Sequence, residues 1–146
     1  MEAVILVGVQ GAGKSTFYRE QFFDTHVRIN LDMLRTRKCE EQLLAACLDA
    51  RQSFVVDNTN PQASDRAKYI GPARDKGFRV IAYFFDVPLR DAMHRNNQRK
   101  LRQKIPAVAV AGTHKKLERP SKAEGFDQIF TVRVTEPSGF VVTEGA

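Results

Sequence analysis

Residues Gly8 to Ser15 read GVQGAGKS, which matches the pattern G-x-x-x-x-G-K-[ST] with Gly8, Gly13, Lys14 and Ser15 at the fixed positions. Four constrained positions in a chain this short match by chance on the order of one time in a few hundred at average residue usage. The flanks also agree. Ala3-Val4-Ile5-Leu6-Val7 is an uninterrupted apolar run, suited to a strand buried on both faces. Ser15 to Glu20 carries no helix breaker. In such a strand–loop–helix unit, glycines let the backbone turn tightly and bring its N–H groups close to phosphate oxygens. The helix N-terminus adds partial positive charge. Lys14 is placed to reach the β- and γ-phosphates, and the Ser15 hydroxyl to ligate Mg²⁺. The loop predicts binding of a nucleoside triphosphate, with Gly8, Gly11, Ala12, Gly13, Lys14, Ser15 and Thr16 around the phosphates.

At 146 residues the chain is expected to form one domain over residues 1–146, long enough for a real core. Hydrophobic content of 42% and charged content of 27% suit a globular protein, and no apolar run approaches a membrane span. The first strand is expected to start almost at residue 1, and on that reading no signal peptide is expected. Cys39 and Cys47 have no metal-ligand spacing. The expectation is a cytoplasmic protein with reduced thiols and no membrane partner. Lys and Arg outnumber Asp and Glu by 23 to 17, a balance of +6. Such an excess fits a polyanionic partner, although ATP alone also favours positive charge.

Strand and helix patterns alternate, which argues for an α/β layer with a mostly parallel sheet. Strands are expected at residues 26–30, 53–56, 78–85 and 129–134 after the first. A helix over 40–51 carries Leu43, Leu44, Cys47 and Leu48 on one stripe. Asn60-Pro61 resembles an N-cap followed by proline, opening a helix with Ala63, Ala67, Ile70 and Ala73 inward and Gly77 at its end. Pro88 opens another helix, with Leu89, Ala92 and Met93 inward, and Ile105-Pro106 starts the last. Residues 135–146 are expected to form a short edge strand or a frayed tail.

Three segments accompany the loop. In an open α/β sheet the carboxyl ends of the strands surround the ligand crevice. Asn30-Leu31-Asp32-Met33-Leu34-Arg35 follows the second strand, so Asp32 and Arg35 are expected to face the phosphates. Asp32 there suits a base that accepts the proton of an attacking hydroxyl, and Arg35 a cation holding the acceptor or a transferring oxygen. A helix-capping aspartate with a surface arginine is the competing reading. Asp57 ends the third strand, where a carboxylate holds Mg²⁺ or its waters beside Ser15, with a structural Asx turn as the competitor. In the basic run RNNQRKLRQK, Arg95, Arg99 and Arg102 share one helical face. They form either a lid that neutralises charge on a transferred phosphoryl group or a solvated basic face. His94 and His114 are expected at the surface, and Phe84 and Phe85 in the core.

Together the segments GVQGAGKST, NLDMLR, VVDNTNP with RAKYI, FFDVPLRDAMHRNNQR and EGFDQI resemble, in order, the kinase domain of polynucleotide 5′-hydroxyl kinases. The resemblance covers most of residues 3–134. It implies a P-loop kinase fold, a five-stranded parallel sheet of order 2-3-1-4-5 with helices on both faces. It implies Lys14 and Ser15 serving ATP and Mg²⁺, Asp32 as general base, Arg35 orienting the acceptor, and Asp57 as the third-strand acid. Arg99 matches the lid arginine, with Arg95 beside it. The implied reaction moves the ATP γ-phosphate to the 5′-hydroxyl of RNA or DNA. A kinase of a sugar, nucleoside or other small metabolite is the alternative, and a nucleotide-binding module without transfer activity is another.

Overall fold

The apolar run after Met1 forms β1 (Glu2–Val7), and its alternate side chains divide between two cores. Ala3, Ile5 and Val7 face one, while Val4 and Leu6 face the other. A strand buried this way must be central in its sheet. The computed structural model, which describes residues 1–99, 104–135 and 139–145, puts it there. The remaining strands are β2 (Val27–Ile29), β3 (Phe54–Val56), β4 (Arg79–Phe85), β5 (Gln128–Thr135) and β6 (Gly139–Glu144). The sheet order is β2-β3-β1-β4-β5-β6. The first five run parallel, in the order the sequence resemblance implies. β6 adds a sixth strand, antiparallel to β5, so the tail takes the edge-strand alternative over residues 139–144. Pro137 and Ser138 lie outside the described residues.

Helices cover both faces. On one, α3 (Arg37–Ala50) and α4 (Ala63–Asp75) contribute Cys47, Leu48, Tyr69, Ile70 and Ala73 to the core. On the other, α1 (Lys14–Gln21), α5 (Leu89–Asn97) and α6 (Ala107–Lys116) contribute Phe17, Tyr18, Ala92 and Val110. A four-residue helix, α2 (Leu31–Leu34), follows β2. Phe84 and Phe85 are core residues, as expected. Complete burial of each such side chain stabilises the fold by about 1.5–3 kcal/mol. No helix among the described residues is long and apolar enough to cross a membrane.

Local expectations fail around α4. Asn60 is not its N-cap. Asn60 adopts φ 46°, is buried, and donates its amide to the Leu6 carbonyl at 2.9 Å. The helix starts later, after Gln62, whose N–H donates to the Asp65 carboxylate at 3.0 Å. Ala67 is exposed and Arg66 is buried in its stead. The Arg66 guanidinium donates to both oxygens of Glu124, at 2.8 and 3.0 Å, and to the carbonyls of Asn60 and Glu118.

Candidate active site

The strand register lines up the carboxyl ends that build the site. Ile29 pairs with Val56, and Val56 with Ile5, so Asn30, Asp57 and the loop after β1 emerge side by side. Short bonds lock them together. Asp57 N–H donates to Ile29 O at 2.8 Å, and Gly8 N–H to Thr59 O at 3.0 Å. The Asn30 amide donates to Asp57 O at 2.5 Å.

Within the loop, Gly11 and Gly13 adopt φ 82° and 101°, the left-handed region that glycine alone enters freely. A Cβ on Gly11 would collide with the Ala92 carbonyl oxygen; one on Gly13 would press on Arg95 Nη1 at 3.1 Å and the Phe140 ring at 3.2 Å. Gly8 and Ala12 are buried behind the loop. Lys14 folds back, its Nζ donating to Gly8 O at 3.0 Å and Val9 O at 2.8 Å. Burial, helped by Arg99 and opposed by Asp57 and Asp32, holds its ammonium at about 8, below the usual lysine range.

A cavity of about 490 Å³ opens over the loop. Of the expected site residues, Gly11, Gly13, Lys14, Ser15, Thr16, Asp32, Asp57, Arg95 and Arg99 line it. Arg95 is on α5, and Arg99 follows the end of that helix at Asn97. Arg102 lies outside the described residues. Arg35 is exposed at the end of α2, with φ 75°, and does not line the cavity; Arg37 does. His94 is exposed and His114 partly so.

The helix-capping role considered for Asp32 belongs to Asn30, whose Oδ1 accepts from Met33 N–H at 2.9 Å. Asp32 is left exposed at the cavity edge. The Asn58 carboxamide oxygen accepts from Leu31 N–H at 2.9 Å and so holds the start of the same helix. Asn58 in turn donates to Glu40 at 2.9 Å. Glu40 is 2% exposed and also accepts from Tyr69 and Arg37, each at 2.9 Å. Burial alone would raise its carboxyl, but the bonds from Asn58, Tyr69 and Arg37 outweigh burial and hold it below the usual range. This buried carboxylate therefore anchors Arg37 and, through Asn58, the turn that carries Asp32.

Asp57 does not spend its carboxylate on an Asx turn. Its Oδ2 accepts from Ser15 Oγ at 3.0 Å and from Arg28 Nε at 2.9 Å. Hydroxyl and carboxylate together are a hard-oxygen donor set that fits Mg²⁺, which keeps several waters and binds through one or two carboxylates plus phosphates. No cluster of three or more His, Cys, Asp or Glu suited to a metal occurs among the described residues, so an all-protein cage is not available there.

A second cavity of about 880 Å³ adjoins the first and shares Thr16 and Arg95 with it. Phe140 of β6 and Asp86 and Pro88 after β4 form part of its wall. Sequence reasoning missed Arg28, Arg37, Asn58, Glu40 and Phe140. The segment VVDNTNP offered a signal for Asn58, because its polar residues follow a strand end beside Asp57.

The chain belongs to the AAA domain family AAA_33, whose model matches residues 4–120. It is 32% identical over 139 residues to an Acanthamoeba polyphaga mimivirus protein named as a bifunctional polynucleotide phosphatase/kinase. That match covers 90% of this chain and 33% of the relative. The Schizosaccharomyces pombe bifunctional polynucleotide phosphatase/kinase is 30% identical over 142 residues, with 88% and 32% covered. The chain thus spans about a third of the length of these curated relatives. A gluconokinase from Sinorhizobium meliloti superposes with a TM-score of 0.65 at 20% identity, over 93% of this chain and 84% of its own, a likeness of fold.

Proposed function

From an AAA-family chain with this site, we infer an ATP-dependent kinase that transfers the γ-phosphate to the 5′-hydroxyl end of RNA or DNA. The observation that carries the reading is Asp32, an exposed carboxylate released from capping and set across one cavity from Lys14 and Ser15. A nucleotide switch needs no such group; a transferase needs a base for its acceptor.

In the proposed reaction the γ- and β-phosphates of ATP lie along the loop N–H groups and Lys14, at the α1 N-terminus. Base and ribose extend past Thr16 and Arg95 into the second cavity. Asp32 accepts the proton of the acceptor hydroxyl as its oxygen bonds to the γ-phosphorus; the bond from that phosphorus to the bridging oxygen breaks, and ADP leaves. Arg95 and Arg99 neutralise charge on the transferring group. When bound, Mg²⁺ offsets phosphate charge, with Ser15 and Asp57 as the residues that would hold it or its waters. Arg37, fixed by Glu40, meets the phosphate next to the reacting end, while Arg35 stands further out on the acceptor side.

The relatives' names and the +6 charge balance support a polynucleotide acceptor. Each strand phosphate neutralised adds about −0.7 to the slope of log affinity against log salt. Acceptor KM is expected to fall from mononucleoside 3′-phosphate to short oligonucleotide and to rise steeply with salt. A flat response to both, with good turnover of a sugar or free nucleoside, would assign the enzyme to small metabolites. We further propose that the chain works in the cytoplasm as one domain.

A further inference from the structure

Beside the Ser15–Asp57 pair stands a cation that the reaction above does not use. Arg28, in the middle of β2, donates from Nε to Asp57 Oδ2 at 2.9 Å and from Nη2 to Ser15 Oγ at 2.9 Å. Nη2 is also 2.8 Å from the same Asp57 oxygen, and Ser15 Oγ donates to that oxygen at 3.0 Å. One guanidinium thus engages both proposed metal donors. The Asp57 side chain is 1% exposed, that of Arg28 27%, and the Tyr18 ring lies 5.9 Å from the guanidinium carbon.

We propose that Arg28 is a placeholder for the metal: it holds the same two donors, Ser15 and Asp57, and gives them up as the divalent cation enters with nucleotide. The inference rests on reading Ser15 and Asp57 as the metal site. A carboxylate this buried needs a counter-charge, which Arg28 supplies and a divalent cation would supply in its place. The metal cannot simply join it. A Mg²⁺–oxygen bond of about 2.1 Å to Ser15 would bring a dication close to the guanidinium. The single charge of Asp57 cannot neutralise three positive charges at such separations. Arg28 has an exit, because its side chain is partly open to solvent. Nucleotide phosphates supply the extra negative charge that favours the exchange, so the metal is expected to load with nucleotide rather than alone.

The test uses Mn²⁺ as a spectroscopic probe, titrated with saturating ADP against the wild type and Arg28→Ala, with free Mn²⁺ read by electron paramagnetic resonance. Removing a neighbouring positive charge is expected to tighten Mn²⁺ binding roughly tenfold or more. The metal-free variant is also expected to melt earlier than wild type, and to gain more in melting temperature from Mn²⁺ with ADP. Arg28→Gln, neutral and closer in size, gives the same reading if the alanine variant does not fold. Equal or weaker Mn²⁺ affinity in a folded neutral variant would overturn the placeholder while leaving the metal site intact. A wild type that binds ADP but no Mn²⁺ would overturn the metal reading, and the placeholder with it.

Discussion

Lys14, the proposed phosphate ligand, shows how burial can make such a residue sensitive to pH. Its ammonium is desolvated against Gly8 O and Val9 O, and its pKa falls to about 8. Only the protonated form attracts phosphate, and phosphate in turn favours that form. ATP affinity is therefore full below the free-protein value and is lost as pH rises through it. A fluorescent ATP analogue titrated from pH 7 to 9.5 is expected to weaken above about 8, approaching tenfold per pH unit. A flat profile would mean that Lys14 does not contact phosphate. Asp32 carries the complementary prediction. Asp32→Asn keeps the shape and loses the basicity, so kcat is expected to fall about 10²-fold or more with ATP affinity nearly unchanged. Normal turnover in steady-state kinetics would remove Asp32 from the chemistry.

Among the elements, α4 depends on a side chain that local pattern assigns to solvent. Arg66 is wholly buried and tied to Glu124, 58 residues away, and to the chain around Glu118. Breaking one partner of a buried pair costs about 3–5 kcal/mol. Arg66→Met is expected to lower the urea midpoint accordingly with little change in slope. A shift below about 1 kcal/mol would class the pair with exposed ones. The same element marks where the sequence stops being legible. Apolar runs and glycine punctuation placed the strands and most helices, because each is a local consequence of burial period and turn chemistry. Asn60-Pro61 misled because Asn60 spends its amide on Leu6, in β1, and turns to positive φ. Arg28 was hidden because a charge inside a short strand carries no local sign of facing Ser15 and Asp57, both distant in sequence. The loop and the strand-end carboxylates were visible, since each marks a place where the backbone must stop being apolar. Arg35 was the expected cavity cation, but with a positive φ at Arg35 it is Arg37, two residues on, that lines the cavity.

For the whole molecule, the central proposal is that one cavity joins ATP to a polynucleotide end. The parallel strands bring the cavity-lining groups together at their carboxyl ends, and β6 brings Phe140 against Gly13 of the loop. The most direct measurement is transfer from γ-labelled ATP with Mg²⁺, offered in parallel to a 5′-hydroxyl oligonucleotide, its 5′-phosphorylated twin, a free nucleoside and gluconate. Label is expected on the 5′ end of the hydroxyl oligonucleotide alone, and to disappear in Asp32→Asn. Efficient labelling of the nucleoside or gluconate with none on the oligonucleotide, or ATP binding without transfer to any acceptor, would contradict it.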